Sequence, residues 1–232
     1  MTTLDRIIIA LFISAALVFP ATAASDPKPM PLFNGKDLAG WKTVGGKDAK
    51  QWRVGKAAVD PATPSKLAVH EPGSELISPA SGANLVSEES FGDCVVELEF
   101  MIPADSNSGV KMMSIYEIQI LDSAGKSKLD SGDCGAVYKE SAPKVNACKK
   151  AGEWQQLLID FRAPRFDGTG KKIANAKFVK VHLNNQLVQE NVEVAHGTNV
   201  SRNAPEHPTG PIFFQGDHGP VAFRNIRVTR LN

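Results

Sequence analysis

The sequence predicts an all-β protein, a two-sheet antiparallel jelly-roll sandwich. Three observations lead there. Short runs rich in β-branched and aromatic residues recur along most of the chain, several with period-two alternation. Clusters of Gly, Pro, Asn and Asp separate them, such as "DPATPS", "DGTGKK" and "RNAPEHPTGP". Helical periodicity is absent beyond the first two dozen residues. Regular strand and turn spacing over a chain this long favours two packed antiparallel sheets.

Taken in order, residues 1–24 read as a secretory signal peptide. The apolar run from Ile7 to Phe19 is too short to span a bilayer comfortably, and Ala21-Thr22-Ala23 fits a small-x-small cleavage site. Arg6 is offset by Asp5, which leaves an uncleaved N-terminal anchor open as the alternative. Either way the expected location is exported, periplasmic or extracellular, with no other membrane contact. Residues 25–232 then make one β-sandwich domain, since neither an internal repeat nor a long linker divides them.

The strand candidates are "WRVGKAAV", "ANLVSEESFGDCVVELEFMIP", "SGVKMMSIYEIQILDS", "WQQLLIDFRAP", "AKFVKVHLNNQLVQENVEV", "GPIFFQGD" and "VAFRNIRVTRL". Two long loop-like segments, Ser123 to Gly152 and Asn191 to Gly210, each precede an aromatic and polar run ("GEWQ", "FFQGDHG"). Loops of that length in a sandwich are usually functional or disordered, and these runs incline the reading to a site.

Charge argues against a nucleic-acid partner. Lys and Arg total 26 against 25 Asp and Glu, both signs are interspersed, and no basic block occurs. The three cysteines have no zinc spacing. In an exported protein Cys134 and Cys148 could close one loop, with Cys94 left as a buried thiol in a strand.

The stretch "SIYEIQILDS" (114–123) is the most informative. As a strand it puts Tyr116, Ile118 and Ile120 on the core face and Glu117 and Gln119 on the open one. Asp122, five residues from Glu117, would point the other way unless a β-bulge between them restores a common face.

Four segments in order carry a family likeness: "PLFNGKDLAGWK", "NSGVKMMSIYEIQILDS", "NACKKAGEWQQLLIDFRAPRFDGTGKKIANAK" and "GPIFFQGDHGPVAFRNIRV". From about Pro31 to Leu231 the chain resembles the 3-keto-disaccharide hydrolase domain family. The resemblance implies a concanavalin-A-like lectin/glucanase jelly roll, active on glycosides already oxidised to a ketone at carbon 3. Two places depart from the family pattern. "LNNQL" has Asn185 where relatives carry glycine, a substitution the left-handed conformation tolerates. "QGDHG" inserts a glycine between Gln215 and Asp217, which could shift His218 relative to Gln215.

A ketone at carbon 3 acidifies the hydrogen on carbon 2, so cleavage needs a base, an acid for the leaving oxygen and donors aimed at the enolate. On that chemistry Glu117 is the candidate base or metal ligand. His218 is the second proton-transfer group, Lys139 a cation for the ketone, and Asp122 a further acid. Asn107, Gln119 and Gln215 are candidate partners of sugar hydroxyls. Tyr138 and Trp154 offer stacking surfaces, and Arg224 could orient an acid. No cofactor is required; a divalent metal on Glu117, His218 and Asp122 stays open, and His70, His182, His196 and His207 are expected on the surface. Two other functions fit the same fold: a carbohydrate-binding lectin without catalysis, and a retaining glucanase, against which Gln119 stands where that motif has an acid.

Overall fold

Alternating residues form fifteen strands in the computed structural model, which describes residues 27–45 and 51–231. The expected signal segment lies outside the described residues, among which no helix is long and apolar enough to cross a membrane. The strands are β1 (Met30–Pro31), β2 (Trp41–Val44), β3 (Arg53–Asp60), β4 (Thr63–Ser78), β5 (Asn84–Phe91), β6 (Cys94–Met101), β7 (Asn107–Met112) and β8 (Tyr116–Leu121). They continue as β9 (Gln155–Arg162), β10 (Arg165–Phe166), β11 (Lys172–Ala174), β12 (Ala176–Leu183), β13 (Gln186–Val194), β14 (Gly210–Phe214) and β15 (Val221–Arg230).

They assemble as the all-β, two-sheet antiparallel jelly roll expected. The larger sheet has eight strands in the order β13-β12-β9-β6-β15-β4-β3, with β1 alongside β15. The smaller has five, in the order β2-β5-β14-β7-β8, and β10 with β11 forms a separate hairpin. Between the two sheets lie Val96, Leu98 and Phe100 from β6, Ile159 and Phe161 from β9, and Tyr116, Ile118 and Ile120 from β8. Phe214 of the small sheet stacks on Phe223 of the large one at 4.3 Å, and Tyr116 meets Phe161 at 5.5 Å. Burying each such ring is worth about 1.5–3 kcal/mol.

β4 is not among the strands expected from the sequence. Its run "TPSKLAVHEPGSELIS" carries Pro64, Pro72 and Gly73, and "DPATPS" reads as a break. Only its last residues, Leu76 to Ser78, pair with β15; the rest pairs with β3 alone. Pro64 therefore needs no second ladder partner. The register shift between Gly55 and Lys56, from Glu75 to His70, accommodates Pro72 and Gly73. The β12–β13 turn follows its expected chemistry: Asn184 and Asn185 both take positive φ, 51° and 65°, as a two-residue hairpin requires.

β8 departs from expectation at its end. It pairs with β7 in unbroken register from Met112↔Tyr116 to Asn107↔Leu121, so no bulge brings Asp122 round to the face of Glu117. Asp122 lies just past the strand, where its carboxylate accepts the Asp105 N–H at 3.1 Å. Asp105 has a φ of 57°, so Asp122 anchors the left-handed turn leading into β7.

Candidate functional site

On the face turned away from the core, β7 and β8 present a polar patch. The register sets Lys111 opposite Glu117 and Gly109 opposite Gln119, with Asn107 at the end of the same face. Three segments roof it. Residues 135–138 run along the outer edge of β8, where the Gly135 and Tyr138 N–H groups donate to the Gln119 and Glu117 carbonyls. The segment after β13 is pinned by Thr198: its N–H donates to Ile115 O at 2.8 Å, and its Oγ1 accepts the Glu117 N–H at 3.1 Å. The β14–β15 connection closes the third side, Gln215 N–H donating to Gly109 O at 2.9 Å.

The result is a cavity of about 70 Å³ lined by Asn107, Lys111, Glu117, Gln119, Tyr138, Gln215 and His218, with Asn199 and Val200 at its edge. Glu117 is only 3% exposed, yet it lies beneath loops and outside the apolar core. Burial pushes its carboxyl above the ordinary 4.5, and the Lys111 ammonium, 3.4 Å from Oε2, works against that rise. Lys111 is itself buried and packs over the Phe213 ring at 5.0 Å. Gly109 makes room for the acid, because a Cβ there would stand 2.3 Å from Glu117 Oε1. Gln119 Nε2 donates to Asn107 Oδ1 at 3.3 Å.

His218 reaches the cavity on a supported carboxylate. Its Nδ1 lies 2.6 Å from Asp217 Oδ1, and Asn84 Nδ2 donates to Asp217 Oδ2 at 3.0 Å. Burial alone would raise the Asp217 carboxyl, but the hydrogen bonds from His218 and Asn84 outweigh it and hold it below 3.8. With Nδ1 on Asp217, Nε2 is the nitrogen left for a ligand. The extra glycine of "QGDHG" has a packing reason. A Cβ on Gly216 would meet Ala83 O at 2.4 Å and the Trp52 ring at 2.8 Å, and its N–H donates to Asn84 Oδ1 at 2.9 Å.

Six of the ten expected site residues thus converge: Glu117, His218, Asn107, Gln119, Tyr138 and Gln215. Four do not. Lys139 is exposed, with its ammonium 5.2 Å from the Tyr138 ring, because its φ of 63° turns it out of the strand-like run. Asp122 is held at the turn described above. Trp154 and Arg224 belong to the large sheet, where the guanidinium stacks on the indole at 4.0 Å and donates to Glu99 at 2.6 and 2.8 Å. Among the described residues no three His, Cys, Asp or Glu side chains gather as a metal centre. Sequence reasoning missed Lys111, Asp217, Asn84, Asn199 and Val200. Lys111 had a signal, a lone cation in the apolar run "SGVKMM" directly across a tight turn from Glu117. The roof residues had none.

A larger groove, about 630 Å³, opens elsewhere, on the outer face of the large sheet between Glu97, Gln156, His182 and Arg227. Of these two, the smaller cavity is the candidate site because it combines a buried carboxylate, a buried ammonium and a carboxylate-supported imidazole.

The jelly roll and its pocket, taken with the matches that follow, fit a glycoside-hydrolase-like or carbohydrate-binding protein. The chain belongs to the family described as the 3-keto-alpha-glucoside-1,2-lyase-like domain, which it matches over residues 28–229. Among solved structures it is similar to a candidate glycosyl hydrolase from Parabacteroides distasonis, 26% identical, with a TM-score of 0.68 over 89% of this chain and 84% of that one. A second such protein from the same organism is 18% identical, with a TM-score of 0.60 over 88% and 94%, and shares the fold. No curated protein matches at a significant level.

Proposed function

We propose that the protein cleaves glycosides carrying a ketone at carbon 3, removing the carbon-2 proton, eliminating the carbon-1 substituent and hydrating the enone. The observation that carries this reading is the composition of the cavity: one carboxylate, Glu117, faced by a buried cation at 3.4 Å and by no second carboxylate in the lining. A retaining glycosidase needs two carboxyl groups about 5–5.5 Å apart across the scissile bond. Abstraction beside a ketone needs one base and a positive group for the developing enolate.

In this scheme Glu117 takes the carbon-2 proton, and its raised pKa makes it a stronger base than a free carboxylate. The electron pair moves onto the ketone oxygen, where Lys111 receives the charge; one well-placed donor of this kind is worth about 3–4 kcal/mol. The enolate then collapses, breaking the bond from carbon 1 to the leaving oxygen, and His218 gives that oxygen its proton. Water adds to carbon 1 of the enone while carbon 2 regains a proton, so the sum is hydrolysis. In the same scheme Asn107, Gln119 and Gln215 would bind ring hydroxyls, and Tyr138 an apolar ring face. The substrate would meet the enzyme outside the cytoplasm, as the apolar segment from Ile7 to Phe19 suggests.

The test is to incubate the purified protein with a 3-keto glucoside and its unoxidised parent, following the released aglycone and the enone. Release from the keto form alone is expected. Release from the parent alone would make the protein a glucanase, and binding without release from either would make it a lectin.

A further inference from the structure

Two thiols outside the cavity converge on the end of β8. The segment from Ser123 to Gly152 leaves the end of β8, wraps its outer edge and returns to β9. Cys134 lies on its outward limb and Cys148 on its return. Cys148 Sγ is 3.6 Å from the carbonyl oxygen of Leu121, the last residue of β8, and the Leu121 backbone also hydrogen-bonds the Cys134 side chain. The two thiols also hydrogen-bond each other. Cys134 is buried, its N–H donating to Ser123 Oγ at 3.2 Å; Cys148 is partly exposed, with Gln155 Nε2 at 3.7 Å from its sulfur.

We infer that Cys134 and Cys148 are a disulfide-forming pair that closes the segment carrying Val137 and Tyr138. The oxidant is a disulfide of the glutathione or dithiol-oxidase class. Cys148, partly exposed and the more acidic because Cys134 donates to it, attacks one sulfur of that disulfide as thiolate and expels the other as a thiol. Cys134 then loses its proton and attacks Cys148 Sγ, breaking the mixed disulfide and releasing the second thiol. The two cysteines lose two electrons and two protons, and the oxidant gains them. Cys94 takes no part. It lies in β6 within the core, where burial pushes its thiol up to about 12.

The consequence falls on the site. Val137 bridges Ile118 of β8, and Tyr138 is a wall of the cavity, so the bond ties that wall into a closed loop. A link of this kind stabilises chiefly by restricting the unfolded chain.

The test uses the full chain, exposed to oxidised glutathione, alkylated without reduction and digested. One cross-linked species joining the Cys134 and Cys148 peptides is expected, two hydrogens lighter than their sum, with Cys94 singly alkylated. Reduction should lower Tm by about 5 °C or more and speed tryptic cutting after Lys139 and Lys144. The Cys134→Ser/Cys148→Ser variant should melt where the reduced wild type does, with or without reductant. Singly alkylated Cys134 and Cys148 after oxidation, or a bridge that includes Cys94, overturns the proposal. Failure here leaves the assignment of Glu117 untouched, since the mass measurement reads no turnover.

Discussion

Glu117 and Lys111 make the sharpest residue-scale predictions, because each is buried and each is the other's counter-charge. Glu117→Gln keeps shape and removes the base; turnover on a 3-keto glucoside should fall about 100-fold or more, measured against unchanged far-UV dichroism. Wild-type turnover should rise with pH as Glu117 loses its proton, with a midpoint above 4.5. Lys111 opposes that upward shift, so Lys111→Met should move the midpoint higher still while cutting the plateau rate about 100-fold. A downward move in the kcat/KM profile of that variant would detach Lys111 from Glu117. Gly109→Ala tests the space kept for the acid: the new methyl must displace the carboxylate, so turnover should drop tenfold or more while far-UV dichroism stays unchanged. At this scale the sequence was informative wherever strand alternation alone decides direction. Glu117, Gln119 and Asn107 follow from period two, and the buried faces of Tyr116, Ile118 and Ile120 follow with them. Lys139 and Asp122 escaped, because a positive φ at one and an unbroken register at the other depend on hydrogen bonds between segments distant in sequence.

At the scale of elements, the site is a strand pair under three separate connections. Thr198 is the rivet of the connection after β13, since the same side chain accepts from Glu117 N–H and donates to Ile115 O at 3.1 Å. Thr198→Val keeps volume and strands that buried N–H, at a cost of about 1–3 kcal/mol. The expected outcome in steady-state kinetics is a several-fold rise in KM, larger than the change in kcat, as Asn199 and Val200 lose their hold beside the cavity. Strand legibility divides along a physical line. Strands with one wet face and one dry face announce themselves by alternation, as β6, β9 and β12 do. β4 does not, because much of it is an exposed ribbon bonded on one side only, where proline and glycine are permitted.

For the whole molecule, the contact between the two sheets is the point of greatest leverage. Phe223 is fully buried against Phe214 at 4.3 Å and Trp52 at 6.4 Å. Phe223→Ala should cost about 3–5 kcal/mol in chemical denaturation, far more than any change at the cavity. Acid should also destabilise the fold in a definite window. Asp93, Glu99 and Asp217 all have carboxyls held below their usual values: burial opposes this in each, and is outweighed by Arg165 and the Ala163 N–H at Asp93, Asn225 and Arg224 at Glu99, and His218 and Asn84 at Asp217. Their stabilisation is complete above the ordinary carboxylate range and is lost as pH falls through the lowered folded values. Glu117, raised by burial, runs the opposite way, costing stability as pH climbs through its own titration. Thermal melts should therefore decline steeply below about pH 4.

The acid and its cation sit on paired strands, whereas Asn199 and Val200, which would greet a departing group, come from the connection after β13, whose Val200 is largely exposed. On the proposed reaction, chemistry and selectivity would thereby be uncoupled in the chain. Transplanting that connection from a relative, with Thr198 retained, should re-rank competing glycosides with little change in the melting point, leaving the reacting pair as a fixed engine behind an exchangeable doorway.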